Sequence, residues 1–164
     1  MKRSHKFSLV FILLLGFSIS LFAHCQIPCG IYGDQARFIL MREHVTTIEK
    51  SMKQINELSK DSNKNINQLV RWVNNKDKHA DLLSEIVTFY FLAQRVKITD
   101  EKNKDEFALY QKKLTLLHQI MVFAMKCKQT TDLSNVDKLK LLIDEFEDIY
   151  FNKEDKKHLK EHHK

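Results

Sequence analysis

Residues 38–58 read FILMREHVTTIEKSMKQINEL, and the spacing of their apolar side chains indicates the fold class. Apolar residues recur at alternating intervals of three and four, which places them along one side of an α-helix. The stripe comprises Phe38, Met41, Val45, Ile48, Met52, Ile55 and Leu58. The segment is therefore predicted to be an amphipathic helix that buries this side against neighbouring helices.

Three further segments repeat the same spacing and are predicted to be helices of the same kind. The second stripe runs through Ile66, Leu69, Val73, Ala80, Leu83, Val87 and Tyr90, with Phe91 beside it and Lys76 as its one interruption. The third stripe runs through Phe107, Tyr110, Leu114, Leu117, Met121 and Ala124, and the fourth through Leu139, Leu142, Phe146 and Ile149. We predict that all of these residues are core residues without a chemical role.

Composition and connector length define the architecture. The chain has 164 residues, enough for one modest domain, and contains only 3 Gly and 1 Pro, which argues against a strand-and-turn fold. The polar connectors at 59–65, 97–104 and 129–135 are short, so successive helices are predicted to be antiparallel neighbours. The expected fold is an all-α, up-down-up-down antiparallel four-helix bundle. Asp34 is predicted to cap the first helix, and Ser134 or Asn135 the last.

The N-terminal segment has the composition of a secretory signal peptide. Lys2, Arg3 and Lys6 precede an uncharged run over 7–23, which ends at Ala23. An uncleaved membrane anchor is the alternative, but the run is shorter than the about 20 residues that a membrane span needs. We expect signal peptidase to cut after Ala23. The mature protein would be exported, to the periplasm or out of the cell, without stable membrane association.

The basic character of the chain comes largely from this leader. The full sequence has a formal net charge of +6, and residues 1–23 carry three of its 27 basic residues and none of its 21 acidic ones. The mature chain therefore keeps a balance of +3. No aromatic residues interleave with a Lys/Arg run, so we predict no nucleic-acid partner.

Cleavage after Ala23 would create a set of metal donors at the new N-terminus. Residues 24–32 read HCQIPCGIY, and the free amine of His24, the amide nitrogen of Cys25 and the Cys25 thiolate can close two fused five-membered chelate rings. The Cys29 thiolate supplies a fourth in-plane donor, and the His24 imidazole lies above the plane. An amide nitrogen in the plane favours nickel(II) or copper(II), which accept square-planar coordination, over zinc. Two thiolates make nickel(III) accessible, so this is a redox site.

The motif His-Cys-x-x-Pro-Cys-Gly-x-Tyr at a processed N-terminus resembles the nickel hook of the nickel superoxide dismutase family. The resemblance implies one nickel ion per subunit, with His24, Cys25 and Cys29 as ligands and Tyr32 beside the open face, where its hydroxyl orders the substrate anion. It also implies that superoxide is converted to dioxygen and hydrogen peroxide as nickel cycles between its II and III states. The family assembles as a homohexamer of four-helix bundles, which we expect here.

The resemblance divides the chain into four parts. These are a signal peptide at 1–23, the metal-binding hook at 24–34, the four-helix bundle at 35–152 and a charged tail at 153–164. Family members commonly hold the axial imidazole with a Glu early in the first helix and an Arg from the bundle. The stretch 35–40 has no acid, and Glu43 and Arg71 are the candidate substitutes.

Two other interpretations remain open on the sequence alone. A Cys25–Cys29 disulfide would make the protein a secreted helical binding module without catalysis. A static metal site on the same donors would make it a nickel or copper carrier. Cys127 is predicted to be a semi-buried apolar filler and not a metal ligand.

The remaining histidines are set outside the site. His44, His79 and His118 lie in predicted helices, and none has a histidine partner at the i, i+4 spacing of a helical metal pair. The charged tail contributes three more histidines, which would scavenge metal only weakly.

Overall fold

The computed structural model describes residues 32–152, and within them the chain is helical. The α-helices are α1 (Asp34–Leu58), α2 (Ser62–Glu85), α3 (Lys104–Gln129) and α4 (Ser134–Tyr150). A 3₁₀ turn, Ser59–Asp61, joins α1 to α2, and a π-helix, Ile86–Arg95, continues α2. The signal peptide, most of the hook and the tail lie outside the described residues.

The helices pack as an antiparallel bundle in which each contacts the next along the chain, and α1 also contacts α4. Antiparallel pairing of α1 and α2 follows from two contacts: Asn75 Nδ2 donates to Ser51 Oγ at 3.0 Å, and His79 lies against His44, earlier in α1. Arg42, near the start of α1, pairs with Asp144 near the end of α4. The predicted four-helix architecture is confirmed.

The core is built from the predicted stripes of α1 and α4. In α1 every stripe residue is buried except Leu58, which is half-buried. At the end of the bundle where α1 begins, aromatic rings dominate: Phe38 lies 5.1 Å from Phe91 and 5.5 Å from Phe146 between ring centroids. Such ring pairs contribute to stability beyond the apolar area they bury.

The first half of α2 departs from the prediction that its stripe is core. Ile66 is 65% exposed and Val73 38% exposed. The physical reason is that α3 ends beside the middle of α2. The side chain of Lys76 contacts carbonyls at the C-terminal end of α3, so the turns of α2 before Lys76 extend past that end.

The predicted stripe of α3 is only partly correct. Leu117 and Ala124 are buried, but Phe107, Tyr110 and Leu114 are half-buried, and Ile120 is buried in place of Met121. Ile120 and Met121 are both apolar, so spacing alone did not distinguish them. Cys127 is an apolar core residue, as predicted, but it is fully buried and not semi-buried.

Lys76, the interruption in the second stripe, is a buried structural residue with 3% exposure. Its Nζ donates to the carbonyl of Cys127 at 2.8 Å, to the carbonyl of Lys128, and to Asp77 Oδ1 at 3.0 Å. The last carbonyls of a helix lack partners within it. The ammonium group supplies donors for two of them, and its charge suits the negative end of the α3 dipole.

The predicted helix caps are wrong. The N-cap of α1 is Gly33, which has no side chain that could cap the helix. The Asp34 carboxylate does not cap it either, because other groups described below hold that carboxylate. Leu133 occupies the N-cap of α4, where Asp132 Oδ1 accepts from the Ser134 amide at 3.0 Å. In α3, the side chain of Asn103 caps the amide of Glu106. Among residues 32–152, no helix is long and apolar enough to cross a membrane.

Candidate metal centre

The structure describes the point at which the predicted hook joins the bundle. His24, Cys25 and Cys29 lie outside the described residues, whereas Tyr32 is within them, two residues before α1 begins. The described residues show the environment that holds the chain at the end of the motif.

Tyr32 lies on a charged and aromatic surface formed by the π-helix. The Arg95 guanidinium carbon lies 4.3 Å from the centroid of the Tyr32 ring, and the ring of Tyr90 meets it edge-on at 6.2 Å. A guanidinium over an aromatic face is attracted by the ring quadrupole. Tyr32 is nevertheless 48% exposed. Its ring is thus supported on one side and open to solvent on the other.

Asp34 is the centre of a hydrogen-bond cluster beneath Tyr32. Its two carboxylate oxygens accept from Arg95, with Nε on Oδ1 at 2.8 Å and Nη2 on Oδ2 at 2.6 Å. Tyr90 Oη donates to Oδ1 at 2.5 Å, and Tyr150 Oη to Oδ2 at 2.9 Å. The bidentate arrangement of Arg on a carboxylate is strong and geometrically specific.

The same cluster holds the backbone of the approaching chain. The amide of Gly33 donates to Tyr90 Oη at 3.0 Å. Tyr90 thus accepts from the chain entering α1 and donates to Asp34, the first residue of that helix. Because these groups belong to α1, the π-helix and α4, three elements fix the position from which the hook departs.

The charges of the cluster are mutually stabilised. Burial opposes ionisation of Asp34, but the hydrogen bonds from Arg95, Tyr90 and Tyr150 outweigh it and lower the pKa of this carboxyl. Burial, together with the bond to Asp34, raises the pKa of Tyr90 to about 12 and also raises the pKa of Tyr150. The hydrogen bond with Asp34 raises the pKa of Arg95. At neutral pH the cluster is an ion pair with two neutral phenols.

The π-helix explains how one segment supplies both Tyr90 and Arg95. In a π-helix the backbone bonds span five residues, as from the Val96 amide to the Phe91 carbonyl at 2.8 Å. Residues five apart therefore lie on nearly the same side, whereas in an α-helix they point well apart. π-Helices occur frequently at functional sites. The wide turn brings both side chains to Asp34.

The role of Glu43 and Arg71 as partners of the axial imidazole stays a prediction, because His24 lies outside the described residues. Glu43 and Arg71 are exposed, and neither contacts Tyr32 or Asp34; Arg71 lines a surface groove with Lys50 and Trp72 instead. The acid and the arginine at this junction are Asp34 and Arg95. The sequence contains a signal for this acid, since Asp34 lies two residues after the motif, but local pattern indicates only a helix cap there.

The donor chemistry of the N-terminal motif suits nickel. The Cys25 and Cys29 thiolates, the Cys25 amide nitrogen and the His24 imidazole are sulfur and nitrogen donors that would hold a nickel ion. Among residues 32–152, no group of three or more His, Cys, Asp or Glu side chains is arranged to hold a metal ion.

Comparison with known families agrees with the motif. The family model described as nickel-containing superoxide dismutase matches residues 20–154 of this chain. The chain belongs to the nickel-containing superoxide dismutase family. The match spans the motif and the whole described bundle. Comparison with curated proteins and with solved structures found no match.

Family membership establishes the activity. The enzyme is a nickel-dependent superoxide dismutase, an oxidoreductase whose substrate is superoxide and whose cofactor is nickel. The all-helical bundle is the fold of this family. Neither a non-catalytic binding module nor a metal carrier is favoured by any of these findings.

Proposed function

We propose that one nickel ion per subunit is held by His24, Cys25 and Cys29, and that the cluster around Asp34 positions this hook against the bundle. Nickel, when bound, supplies a II/III couple able to oxidise one superoxide to dioxygen and reduce the next to hydrogen peroxide. The ligands in this proposal are the His24 amine and imidazole, the Cys25 amide nitrogen and thiolate, and the Cys29 thiolate. The observation that carries the proposal is the support of Tyr32, the last residue of the motif, by Arg95 and Tyr90, which both bond to Asp34.

Tyr32 is proposed to face the substrate. Arg95 and Tyr90 support its ring, and nearly half of the residue is exposed. A phenol on a fixed ring can hold a small anion or an ordered water at a defined distance from the metal. Substitution of Tyr32 by Phe should therefore lower turnover while leaving nickel content unchanged.

Ligand assignment is tested with a pair of cysteine variants. Cys29→Ser should abolish superoxide turnover in a pulse-radiolysis or stopped-flow assay and reduce nickel content measured by elemental analysis. Cys127→Ala is the matched control, because Cys127 is fully buried in the bundle and should affect neither turnover per nickel nor nickel stoichiometry. Full turnover in Cys29→Ser would contradict the assignment.

We further propose that signal peptidase cuts after Ala23 and that the enzyme works in the periplasm or outside the cell. The support is the basic, apolar, small-residue order of the leader. The cut is also a chemical requirement, since the His24 amine exists only afterwards. N-terminal sequencing of native protein should begin at His24; a start at any other residue refutes this maturation.

Assembly into a homohexamer is also proposed. Its support in the described bundle is an apolar surface on the first half of α2, where Ile66, Val70 and Val73 are all exposed. Contiguous exposed apolar residues commonly mark protein contacts. Light scattering of the mature protein should give six subunits.

A pair of exposed positions locates the contact. Val70→Lys should dissociate the assembly, whereas Leu141→Lys, on an exposed position of α4, should not. A hexamer that survives Val70→Lys would exclude the α2 surface as the contact.

A further inference from the structure

Two histidines from different helices meet outside the nickel motif. His44 of α1 and His79 of α2 approach with their Nδ1 atoms 3.0 Å apart. Their ring centroids are 5.1 Å apart and their planes are inclined at 61°. Both residues are half-buried. The search for i, i+4 histidine pairs could not find them, because the pair forms between helices.

The facing nitrogens define the chemistry of this pair. Each neutral imidazole carries one proton, so the short contact requires Nδ1–H on one ring and an Nδ1 lone pair on the other. If both protons moved to the Nε2 atoms, two lone pairs would face each other. A cation between them would then be attracted by both nitrogens. Neutral imidazole nitrogen is the commonest protein ligand for transition metals.

The separation matches a metal chelate. Zinc–nitrogen bonds are about 2.0–2.1 Å long, so two nitrogens on one ion lie about 2.9 Å apart at a right angle and about 3.3 Å apart at the tetrahedral angle. The observed 3.0 Å lies between these values. Lengthening the distance between the two Nδ1 atoms by a few tenths of an ångström, with a small rotation of the rings, would leave room for the ion.

We propose that His44 and His79 form a second metal site, which binds a first-row divalent cation such as zinc(II) or copper(II) through both Nδ1 atoms, with water completing the coordination. The site uses no residue of the nickel motif and links α1 to α2. Binding should therefore stabilise the folded bundle, because an ion that binds only the folded state shifts the folding equilibrium.

The surroundings are compatible with a cation. His44 lines a groove of about 250 Å³ with Glu85 and Arg37, which gives solvent and ions access to this histidine. Burial and the neighbouring His79 lower the pKa of His44, and burial and Lys78 lower the pKa of His79. Both rings are thus neutral at pH 7. Among the charged neighbours, Glu43 acts on His44 and favours positive charge there, whereas Lys78 opposes it at His79.

Zinc titration of the nickel-loaded enzyme tests the proposal. The wild-type enzyme should bind one zinc ion with a dissociation constant at least tenfold lower than that of His79→Gln. Zinc should also raise the thermal unfolding midpoint of the wild type. His118→Gln is the matched control, since His118 is an exposed helical histidine. The tail histidines are identical in all three proteins, so their weak binding cancels. Nickel content should be the same throughout.

A second measurement uses the unaltered chain. In ¹⁵N-histidine NMR of the nickel-loaded enzyme, zinc should shift the Nδ1 resonances of His44 and His79 together and at the same concentration. Equal zinc affinity in wild type and His79→Gln would overturn the proposal. So would zinc-induced shifts confined to the other histidines, even if the variant failed to fold.

Discussion

Asp34→Asn is the most informative single substitution in the described bundle. It preserves the shape of the side chain but removes the charge that accepts two hydrogen bonds from Arg95 and one each from Tyr90 and Tyr150. The asparagine NH₂ would face donors instead of accepting from them. Arg95 would keep its charge in a partly buried position without a counter-ion.

The expected loss follows from burial. Breaking a fully buried ion pair by removing one partner costs about 3–5 kcal/mol, and an exposed pair contributes about 0–1 kcal/mol. The Asp34 and Arg95 side chains are 17% and 25% exposed. Because solvent screens part of the interaction, we expect the unfolding free energy to fall by about 2–3 kcal/mol at pH 7.

Urea unfolding followed by circular dichroism measures this loss. Asp144→Asn is the matched control, because Asp144 also pairs with an arginine, Arg42, but is 62% exposed. The control should lose no more than about 1 kcal/mol. Equal losses in the two variants would refute the claim that the Asp34 cluster is a strong anchor.

The pH dependence provides a separate check on Asp34. Its folded pKa lies below the usual 3.8, so the stabilisation is fully present above pH 3.8 and is lost as the pH falls through the lower folded value. The gap in unfolding free energy between wild type and Asp34→Asn should therefore narrow below pH 4. A gap that stays constant down to pH 2 would show that the charge of Asp34 is not its source.

Three other predictions concern the described residues. Arg95→Lys removes the bidentate pair and the stacking on Tyr32, so turnover per bound nickel should fall on the order of tenfold with nickel content unchanged, whereas Arg42→Lys should leave turnover unaltered. Lys76→Met should cost about 2 kcal/mol in urea unfolding, because two carbonyls lose their donor, and a loss of under about 0.5 kcal/mol would contradict that role. Burial raises the pKa of Cys127 from 9.0 to about 11, so thiol labelling at pH 8, in a chain with both motif cysteines changed to serine, should be about 100-fold slower in the folded than in the unfolded state.

Sequence reasoning predicted the fold well because the bundle depends on apolar periodicity. The stripes of α1 and α4 are buried except at their last residues, Leu58 and Ile149, and the short connectors impose antiparallel packing. The exposed stripe around Ile66 was misassigned because periodicity shows which side of a helix is apolar and does not show where the neighbouring helix ends. The end of α3 lies beside Lys76, and the contact between them joins residues about 50 positions apart in the sequence.

The site was only partly predictable for a related reason. The motif at 24–32 is local, so composition and spacing disclosed its chemistry. The partners of Asp34 lie 56, 61 and 116 positions away, and no local pattern connects them. The π-helix was also not foreseen, because Ile86–Arg95 fits the ordinary three-and-four spacing at Val87 and Tyr90. The His44–His79 pair required the tertiary structure.

The ten-residue wide turn at Ile86–Arg95 has a consequence for how the gene for this protein can vary. Deleting one codon there would let the segment adopt an ordinary α-helix, which is the more favourable local conformation. The same deletion would rotate Arg95 off Asp34 and release the chain leading to the metal. Length in this short stretch is therefore under tighter constraint than the identity of most of its amino acids.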